Sequence, residues 1–485
     1  MYVIGLDIGT TCTKALLADD KGKVLGVGSS GYPLISDGCR IEQRAEDWIK
    51  ASVVAVREVL QGKDASKVAG IALSTQGAST VAIDKDGNFI GNALTWMDTR
   101  AEEEAKEIEE ELGGDFVYRT SGWKVSSTLD AAKQRYMKRN PDFSDAVKYL
   151  STLEVMNRFL TGNAVIDPTN AAIRQLYDVE RNCWDKKLLN AARTEEQELP
   201  KVLPTGAKVG VLTKEAASEM GLKEGIPVFN GAHDQYCASI GAGAVHEGDM
   251  LLSAGTTWVL MGIGKKPLFT ESYIAPGKHP VEGLYGAIAS LVCSGASLQW
   301  FKDEFLPEDF QKMNEEVAKR KEKCRDLFFY PYMAGANYPI WKSKAKGSFV
   351  GISLEHDRFD FARAIMEGVA FGVRRAVTDF QNNGCEIKQI VMMGGASKSP
   401  LWCQMIASIT HIPILRLNQA DVCAAGAAMI AACGLGIYKD YEEAAKTMVH
   451  TEYIYEPLPE ETEFYDEKFA KYDKMWSLMQ RYYEQ

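Results

Sequence analysis

The chain has 485 residues, of which 46% are hydrophobic and 25% are charged. This length is more than one hydrophobic core usually organises, so we expect at least two domains. The net charge of -11, without any Lys/Arg cluster, excludes an extended nucleic-acid surface, although a nucleotide can still be bound by backbone amides and Mg²⁺.

Cysteine spacing and apolar runs indicate the compartment. The ten cysteines form neither a Cys-x-x-Cys pair nor a metal-binding pattern with histidine, which is typical of reduced thiols in a cytoplasm. The first residues already read as a strand, with no basic leader or cleavage site. The longest apolar stretch, residues 424–435, is too short to span a bilayer and predicts a tightly packed helix. We therefore expect a cytoplasmic protein with no membrane partner.

A short glycine turn joins the first two predicted strands. Apolar runs at residues 2–8 and 12–18 flank it, and a third strand over Lys23–Gly28 completes an antiparallel meander. Glycine lets the backbone come close to an anion, and the amide dipoles of such a turn can converge on a phosphate. The turn reads Gly5-Leu6-Asp7-Ile8-Gly9-Thr10-Thr11.

The same turn pattern returns halfway along the chain. It reads Leu251-Leu252-Ser253-Ala254-Gly255-Thr256-Thr257 and again lies between two apolar runs. Either turn alone is compatible with an ordinary hairpin. Two copies indicate two related domains, each of which presents one turn to a shared cleft.

The remaining elements support this duplication. Between the turns, periodicity predicts a buried strand at 68–74 and helices at 45–60, 102–112, 130–140 and 150–160. The pattern then restarts, and the predicted elements of the second half are strands at 227–231, 284–289 and 390–393 and helices at 235–241, 295–301, 359–382, 400–410 and 424–433. We place the domain boundary near residues 242–248, and we interpret the last 35 residues as a solvated outer helix.

Two aspartates stand where chemistry can take place. Asp7 ends the first strand, so its carboxylate could hold Mg²⁺ through water or could bond its own turn. Asp234 opens a helix after a strand, where an aspartate is often only a cap. The same position lies at the mouth of the predicted cleft, where Asp234 could accept the proton of a hydroxyl that attacks a γ-phosphate. We interpret His233, beside it, as a packing or hydrogen-bonding residue and not as a catalyst.

Polar side chains that suit a sugar occur in three places. Gln76 and Trp96 each follow a predicted strand, and Gln235 can hydrogen-bond a polyol. Asp98 and Arg100 come just after the tryptophan. An aromatic plane with polar neighbours is suited to a sugar, but each of these residues could also be structural.

A third glycine segment, Gly394-Gly395-Ala396-Ser397, follows a predicted strand and precedes a helix. Its small residues would let an adenine ring lie over the backbone, and the helix start favours phosphate. A Gly-Gly pair after a strand is weak by itself. The small-residue helix at 424–428 could pack beside that site or form a helix–helix contact.

Taken together, these motifs resemble the FGGY carbohydrate kinases in order and spacing over nearly the whole chain. The motifs are Asp7-x-Gly9-Thr10-Thr11, Trp96-x-Asp98-x-Arg100, Gly231-x-x-Asp234, Gly255-Thr256-Thr257 and Gly394-Gly395-Ala396. Two further segments look like signatures of that family: Asp130-Ala131-Ala132-Lys133 ahead of Asn140-Pro141, and residues 347–352 leading to 362–368.

The resemblance implies an α/β fold with two actin/hexokinase/Hsp70-like (ribonuclease H-like) domains and a cleft between them. Each domain would hold a mixed five-stranded sheet flanked by helices. Residues 1–244 would mainly bind the sugar, and residues 245–485 would mainly bind ATP. By similarity, Asp234 is the general base, and Asp7 orients Mg²⁺ or the attacking hydroxyl.

The resemblance also suggests which residues contact the two substrates. Those expected at the sugar are Gln76, Trp96, Asp98, Arg100 and Gln235. Those expected at ATP are Thr10, Thr11, Lys14, Gly255, Thr256, Thr257, Gly394, Gly395 and Ala396.

Departures from the family's patterns bear on the substrate. Glycerol kinases carry Arg-Glu after the glutamine, and typical D-xylulose kinases carry Met-His, whereas this chain has Gly77-Ala78. The segment Ser74-Thr75-Gln76-Gly77 looks closer to the L-xylulose and erythritol kinase branches. The loop Ala334-Gly335-Ala336-Asn337-Tyr338-Pro339 replaces the usual Gly-Glu-Arg-x-Pro.

We therefore expect an ATP- and Mg²⁺-dependent kinase of a small sugar or polyol, with a pentulose such as xylulose as the leading substrate. A polyol or gluconate kinase of the same family is the alternative. An actin- or Hsp70-like ATPase would not need Gln76, Trp96 and Asp98 around Asp234. A sugar-binding regulator would be expected to lose the base or to add a DNA-binding module. A homodimer is left open.

Overall fold

The chain forms two halves, each built around a mixed sheet. The computed structural model describes residues 1–336, 338–340, 342, 344–418 and 421–483. The strands of the N-terminal half are β1 (Tyr2–Ile8), β2 (Cys12–Asp19), β3 (Val24–Gly31), β4 (Ile35–Asp37), β5 (Arg40–Gln43), β6 (Val68–Thr75), β7 (Thr80–Ile83), β8 (Phe89–Leu94), β9 (Lys148–Ser151), β10 (Val165–Ile166), β11 (Tyr177–Asp178), β12 (Cys183–Trp184), β13 (Lys201–Val202), β14 (Lys208–Val211) and β15 (Pro227–His233). Its helices are α1 (Ala45–Val59), α2 (Glu102–Leu112), α3 (Gly114–Ser121), α4 (Asp130–Arg139), α5 (Thr152–Thr161), α6 (Pro168–Ile173), α7 (Lys186–Ala191), α8 (Lys214–Met220) and α9 (Asp234–Gly241).

The C-terminal half repeats this alternation of strands and helices. Its strands are β16 (Asp249–Ala254), β17 (Trp258–Gly264), β18 (Ala275–Lys278), β19 (Tyr285–Leu291), β20 (Phe328–Tyr330), β21 (Ser348–Val350), β22 (Gln389–Met393), β23 (Ile414–Leu417) and β24 (Thr451–Tyr455). Its helices are α10 (Ser294–Phe305), α11 (Phe310–Ala318), α12 (Arg358–Asn382), α13 (Pro400–Thr410), α14 (Val422–Gly434), α15 (Tyr441–Met448) and α16 (Pro459–Tyr482). The boundary that we propose, between residues 244 and 245, falls in the connection from α9 to β16.

Both main sheets share one five-strand plan. In the first, β3, β2 and β1 are antiparallel neighbours, and β6 and β15 continue parallel to β1. In the second, β19, β17 and β16 are antiparallel, and β22 and β23 continue parallel to β16. The expected five-stranded sheets are therefore present, and edge strands β14, β18 and β24 extend them to six and seven strands. The two glycine turns are the equivalent β1–β2 and β16–β17 connections.

Helix α14 belongs to the C-terminal half of the sequence but packs on the N-terminal sheet. An added Cβ at Gly426 would lie 1.9 Å from the Cys237 carbonyl of α9, and one at Gly5 of β1 would lie 1.9 Å from the Ala424 carbonyl. Backbones approach this closely only where no side chain intervenes. The prediction of a tightly packed helix is thus confirmed, in the form of a helix–helix contact. Of the described helices, none is both long and apolar enough to cross a membrane.

The interpretation of the last 35 residues as a solvated outer helix is wrong in two respects. Residues Thr451–Tyr455 form β24, the edge strand next to β23. Helix α16 follows, and Phe464, Tyr465, Tyr472 and Trp476 are buried against the core of the C-terminal half. Only the outer face of α16 is solvated, because its apolar residues recur about every four positions and share one side of the helix.

Candidate active site

The first glycine turn is held from three sides. The Tyr32 hydroxyl donates to the Gly9 carbonyl at 2.5 Å, and Gln43 Nε2 donates to the Thr10 carbonyl at 2.5 Å. The exposed Trp96 side chain donates its indole N–H to Thr10 Oγ1 at 3.0 Å. The turn therefore has a fixed conformation, and the predicted sugar residue Trp96 and phosphate residue Thr10 are brought together.

Asp7 lies at the end of β1, between strand neighbours that both carry polar groups. It is paired with Lys14 on β2 and with Ser74 on β6, and the Ser74 hydroxyl donates to Asp7 Oδ1 at 2.7 Å. Burial raises the Asp7 pKa to about 7 against the Ser74 bond, which lowers it, and the negative charge of Asp234 adds to the rise. The two predicted carboxylates are thus close enough to share one site.

Asp234 is not a helix cap, so that interpretation is wrong. The N-cap position of α9 is occupied by His233, and the helix has no side-chain cap bond. Asp234 is the first helical residue, and 28% of its side chain is exposed. Its Oδ1 atom lies 3.3 Å from His233 Nε2 but has no hydrogen-bond partner among the described residues. The Oδ1 atom is therefore available to accept a proton, and the neighbouring Gln235 Oε1 is also unpartnered within that part of the chain.

Lys133 joins the two loops that carry the predicted sugar residues. Its ammonium is fully buried and donates to the Ala78 carbonyl at 2.8 Å and to the Thr95 carbonyl at 2.6 Å. Burial lowers the Lys133 pKa to about 8, and the Asp130 and Asp98 carboxylates oppose that effect. The sequence marked Lys133 only as a family signature. Its contacts show that it fixes the spacing between the Gln76–Ser79 loop and the Thr95–Arg100 loop.

Asp98 and Arg100 bind each other and leave little for a ligand. Asp98 is fully buried and accepts hydrogen bonds from the Ile41 amide and from the Arg100 amide and guanidinium. The same guanidinium pairs with Glu42 at 2.5 Å. These bonds stabilise the loop that carries Trp96, and a direct sugar contact by either residue stays a prediction.

Gln76 is buried beneath the first turn, in contact with a residue that the sequence analysis missed. Its amide N–H donates to the Ile8 carbonyl at 2.9 Å, and its side-chain Nε2 donates to Gln43 Oε1 at 2.7 Å. Trp48 Nε1 of α1 donates to the same Gln43 oxygen at 3.1 Å. Gln43 lies just before a predicted helix, and nothing in that local pattern distinguishes it from an ordinary helix-flanking residue.

A cavity of about 740 Å³ lies beside the second glycine turn. Four of the predicted ATP residues line it: Gly255, Thr256, Gly395 and Ala396. The Ala296 amide donates to the Thr256 carbonyl at 3.1 Å, so the turn is fixed to the start of α10. Thr257 is exposed in the turn. Gly394 directly follows β22 and packs against the Ala254 carbonyl at the end of β16. Its φ of 94° favours glycine at this position.

The sequence analysis missed several side chains around the same cavity. They come from the consecutive helices α10 and α11 and, much later in the sequence, from the segment after β22 and the start of α13. They are Leu298, Gln299, Phe310, Met313, Asn314, Lys398, Ser399 and Trp402. No short motif links them, so only the folded structure brings them together.

Lys14 and the described residues of the loop at 334–339, which the sequence analysis also singled out, do not line this cavity. The Lys14 ammonium binds Asp421 Oδ1 at 2.7 Å, and this bond joins the two halves and raises the Lys14 pKa. Whether Lys14 also contacts a nucleotide stays a prediction. In the loop at 334–339, Asn337 lies outside the described residues, and the Tyr338 hydroxyl approaches Asp379 at 3.2 Å.

Comparison with known proteins identifies the class to which this fold and site belong. Residues 2–241 match the N-terminal domain of the FGGY family of carbohydrate kinases, and residues 250–435 match its C-terminal domain. The chain belongs to this family and is a carbohydrate kinase, a phosphotransferase with an alcohol acceptor.

Individual relatives resemble the chain over its full length. A xylulose kinase from Bacillus subtilis is 28% identical over 98% of this chain and 97% of its own length. A gluconokinase from the same organism is 27% identical over 100% and 97%, respectively. The crystal structure of a ligand-bound xylulose kinase from Lactobacillus acidophilus is 26% identical, covers 100% of this chain and 99% of its own, and has a TM-score of 0.93.

Proposed function

We propose that the protein transfers the γ-phosphoryl group of ATP to a hydroxyl of a small ketose, and that a pentulose such as xylulose is the substrate. One observation carries the proposal: Asp234 Oδ1 has no hydrogen-bond partner among the described residues, although it lies within the electrostatic reach of Asp7. A carboxylate held without a partner at a cleft is suited to take a proton from an attacking hydroxyl.

The nucleotide would lie in the cavity beside the second glycine turn. Backbone amides at Gly255 and Thr256 suit phosphate oxygens, and the small residues Gly395 and Ala396 leave room for the adenine ring. Thr10 and Thr11 of the first turn would meet the phosphate that is transferred. Both turns precede a strand in equivalent positions of the two sheets, so each half supplies one of them.

The acidic residues fit a bound Mg²⁺. No group of three or more His, Cys, Asp or Glu side chains in the described ranges could hold a metal ion. Mg²⁺ needs no such group, since it keeps most of its waters and takes one or two carboxylates together with substrate phosphates. Asp7 would hold it, and the ion would neutralise charge on the phosphates. The Ser74 hydroxyl orients the Asp7 carboxylate for that contact.

The residue after Gln76 also bears on the substrate. An added Cβ at Gly77 would lie 2.6 Å from His233 Cδ2, so a larger residue there would require the His233 ring to move. The arginine of glycerol kinases and the methionine of typical D-xylulose kinases are both absent from this position, so the support for a ketose comes from the full-length xylulose kinase relatives. Gluconate is the second candidate, because full-length relatives and a solved structure with that activity in their names match this chain as well as the xylulose kinases do.

A substrate panel tests the proposal. Purified protein is offered ketoses, polyols and aldonates with Mg²⁺-ATP, and ADP release and sugar phosphate are both measured. We expect a pentulose to give the highest kcat/KM and glycerol to give none. Preferred turnover of gluconate would replace the ketose proposal with its alternative. ADP release without any phosphorylated product would instead favour an ATPase of the actin or Hsp70 type.

The same proposal covers partners and location. The protein would act on small molecules in the cytoplasm, with no nucleic-acid or membrane partner. A homodimer stays open and would be tested by sedimentation of the purified protein.

A further inference from the structure

Three buried side chains form a hydrogen-bonded relay from α1 to the sugar loop. Trp48, Gln43 and Gln76 are each at most 1% exposed. Trp48 Nε1 and Gln76 Nε2 both donate to Gln43 Oε1, at 3.1 Å and 2.7 Å. Gln43 Nε2 donates to the Thr10 carbonyl at 2.5 Å. The relay thus connects helix packing, the phosphate turn and the predicted sugar site.

The ends of the relay determine which way each amide points. An indole N–H can only donate, and a backbone carbonyl can only accept. Gln43 must therefore direct its oxygen toward Trp48 and its nitrogen toward Thr10. Since the same Gln43 oxygen faces Gln76, Gln76 must direct its NH₂ group toward Gln43. The opposite orientation of Gln76 would place two oxygens against each other.

We infer that Gln43 and Trp48 fix Gln76 so that its carbonyl oxygen, and not its NH₂ group, receives the sugar. Gln76 Oε1 is buried and has no partner among the described residues. Gln76 follows β6 directly under the first turn, and the next residue packs against His233, the neighbour of Asp234. A buried acceptor without a donor is costly, and a substrate hydroxyl would relieve that cost.

The inference rests on the proposed function and adds a rule of selectivity. The substrate must present a hydroxyl as a hydrogen-bond donor at the position that meets Gln76. A keto or carboxylate oxygen at that position would face another acceptor and would be rejected. Gln76 would therefore contribute to the choice between a polyhydroxy chain and the carboxylate end of an aldonate.

Sugar analogues test the orientation directly. For the sugar that the enzyme phosphorylates, each non-reacting hydroxyl is replaced in turn by hydrogen and by fluorine, which can accept but not donate. At one position we expect the deoxy analogue to lose at least about tenfold in kcat/KM, with no recovery in the fluoro analogue. Recovery by fluorine at every sensitive position would mean that no protein acceptor reads the sugar there, and the inference would be overturned. If no sugar is phosphorylated at all, the proposed function fails as well.

A variant of Gln43 separates positioning from simple stability. Gln43→Met removes the oxygen that faces Gln76 and should reduce several-fold the loss in kcat/KM that the deoxy analogue shows (the deoxy penalty). In this variant the KM for ATP should change less than the KM for the sugar. An unchanged deoxy penalty in folded Gln43→Met would contradict the role of the relay.

Trp48 provides an independent variant if Gln43→Met does not fold. Trp48→Phe removes the indole N–H and part of the ring, and with them one of the two groups that orient Gln43, so the deoxy penalty should again fall, by less than in Gln43→Met. Trp184→Phe is the matched control, because Trp184 is a buried tryptophan of the same half that packs on Tyr177, away from these glutamines. It should leave the penalty unchanged. Equal effects of the two tryptophan variants would show that the change comes from packing alone, against the inference.

Discussion

Asp234 Oδ1 has no hydrogen-bond partner among the described residues, so its replacement should affect chemistry far more than stability. We predict that Asp234→Asn lowers kcat by roughly 10²–10⁴-fold, the usual effect of losing a general base, with a small change in sugar affinity. Asp185 is the matched control, because its side chain caps α7 through the Lys187 and Leu188 amides. Asp185→Ala should cost about 1 kcal/mol of folding free energy and leave kcat unchanged. Steady-state kinetics and urea unfolding of both variants check the contrast. A kcat near wild type in Asp234→Asn would exclude the base.

At Asp7 the raised pKa makes function compete with stability. Its pKa rises from 3.8 in an unfolded chain to about 7 in the fold, so the carboxyl costs nothing below about pH 4 and progressively destabilises the fold as the pH rises to 7. We predict that Asp7→Asn, without ligands, equals the wild type in unfolding free energy at pH 4 and exceeds it at pH 8. The gain is at most about 4.5 kcal/mol, from about 1.4 kcal/mol per pKa unit.

The same variant should weaken the use of Mg²⁺-ATP, which a magnesium titration of activity measures. Asp64→Asn is the control for stability, because hydrogen bonds from Ser66 lower the pKa of that exposed carboxyl. It should show no gain at pH 8. If Asp7→Asn is no more stable at pH 8 than the wild type, or if its kinetics do not depend differently on Mg²⁺, the role given to Asp7 is wrong.

The crossing of α9 and α14 depends on glycine. An added Cβ would lie 1.9 Å from a backbone carbonyl at both Gly241 and Gly426. We predict that Gly426→Ala destabilises the protein by about 1–3 kcal/mol or more, as overpacking of a core does. Gly372 of α12 is the matched control, since its Cβ would meet Leu291 at an ordinary 3.4 Å. Gly372→Ala should stabilise by up to about 1 kcal/mol through helix propensity. Urea unfolding of both variants measures the difference. Equal effects would mean that the crossing tolerates a methyl group.

Local patterns predicted the elements whose residues are neighbours in sequence. The glycine turns, the meander and the small-residue α14 all follow from short motifs. The contacts of Lys133 with Ala78 and Thr95, and of Gln43 with Gln76, join segments 33 to 55 residues apart and leave no local pattern. Helix α16 is a different case, because Phe464, Tyr472 and Trp476 recur at helical spacing. The many Glu and Lys residues between them outweighed that periodicity in the sequence interpretation.

A third core joins the two halves of the molecule. Buried residues of the N-terminal sheet, such as Leu16 and Phe229, pack in one cluster with Leu251 and Val391 of the C-terminal sheet. Helices α9 and α14 run through this cluster with small residues at their contact. Small residues at a helix crossing permit limited sliding or rotation without forcing side chains past one another. We therefore expect the halves to pivot beside the connection from α9 to β16.

We predict that sugar and nucleotide together close the cleft by rotation about a hinge near Gly241–Gly248. Both glycine turns must reach one nucleotide, and an open cleft would leave the γ-phosphate to water. Gly243 and Gly248 adopt positive φ angles in this connection, so the backbone there already uses conformations that favour glycine.

Small-angle scattering is compared without ligand, with sugar alone, and with sugar plus a non-hydrolysable ATP analogue. The radius of gyration should fall only in the last case. Asp234→Asn should close equally, because the base acts on the hydroxyl proton and not on the hinge. An unchanged radius at saturating concentrations of both ligands would rule out closure as the means by which water is kept from the phosphate.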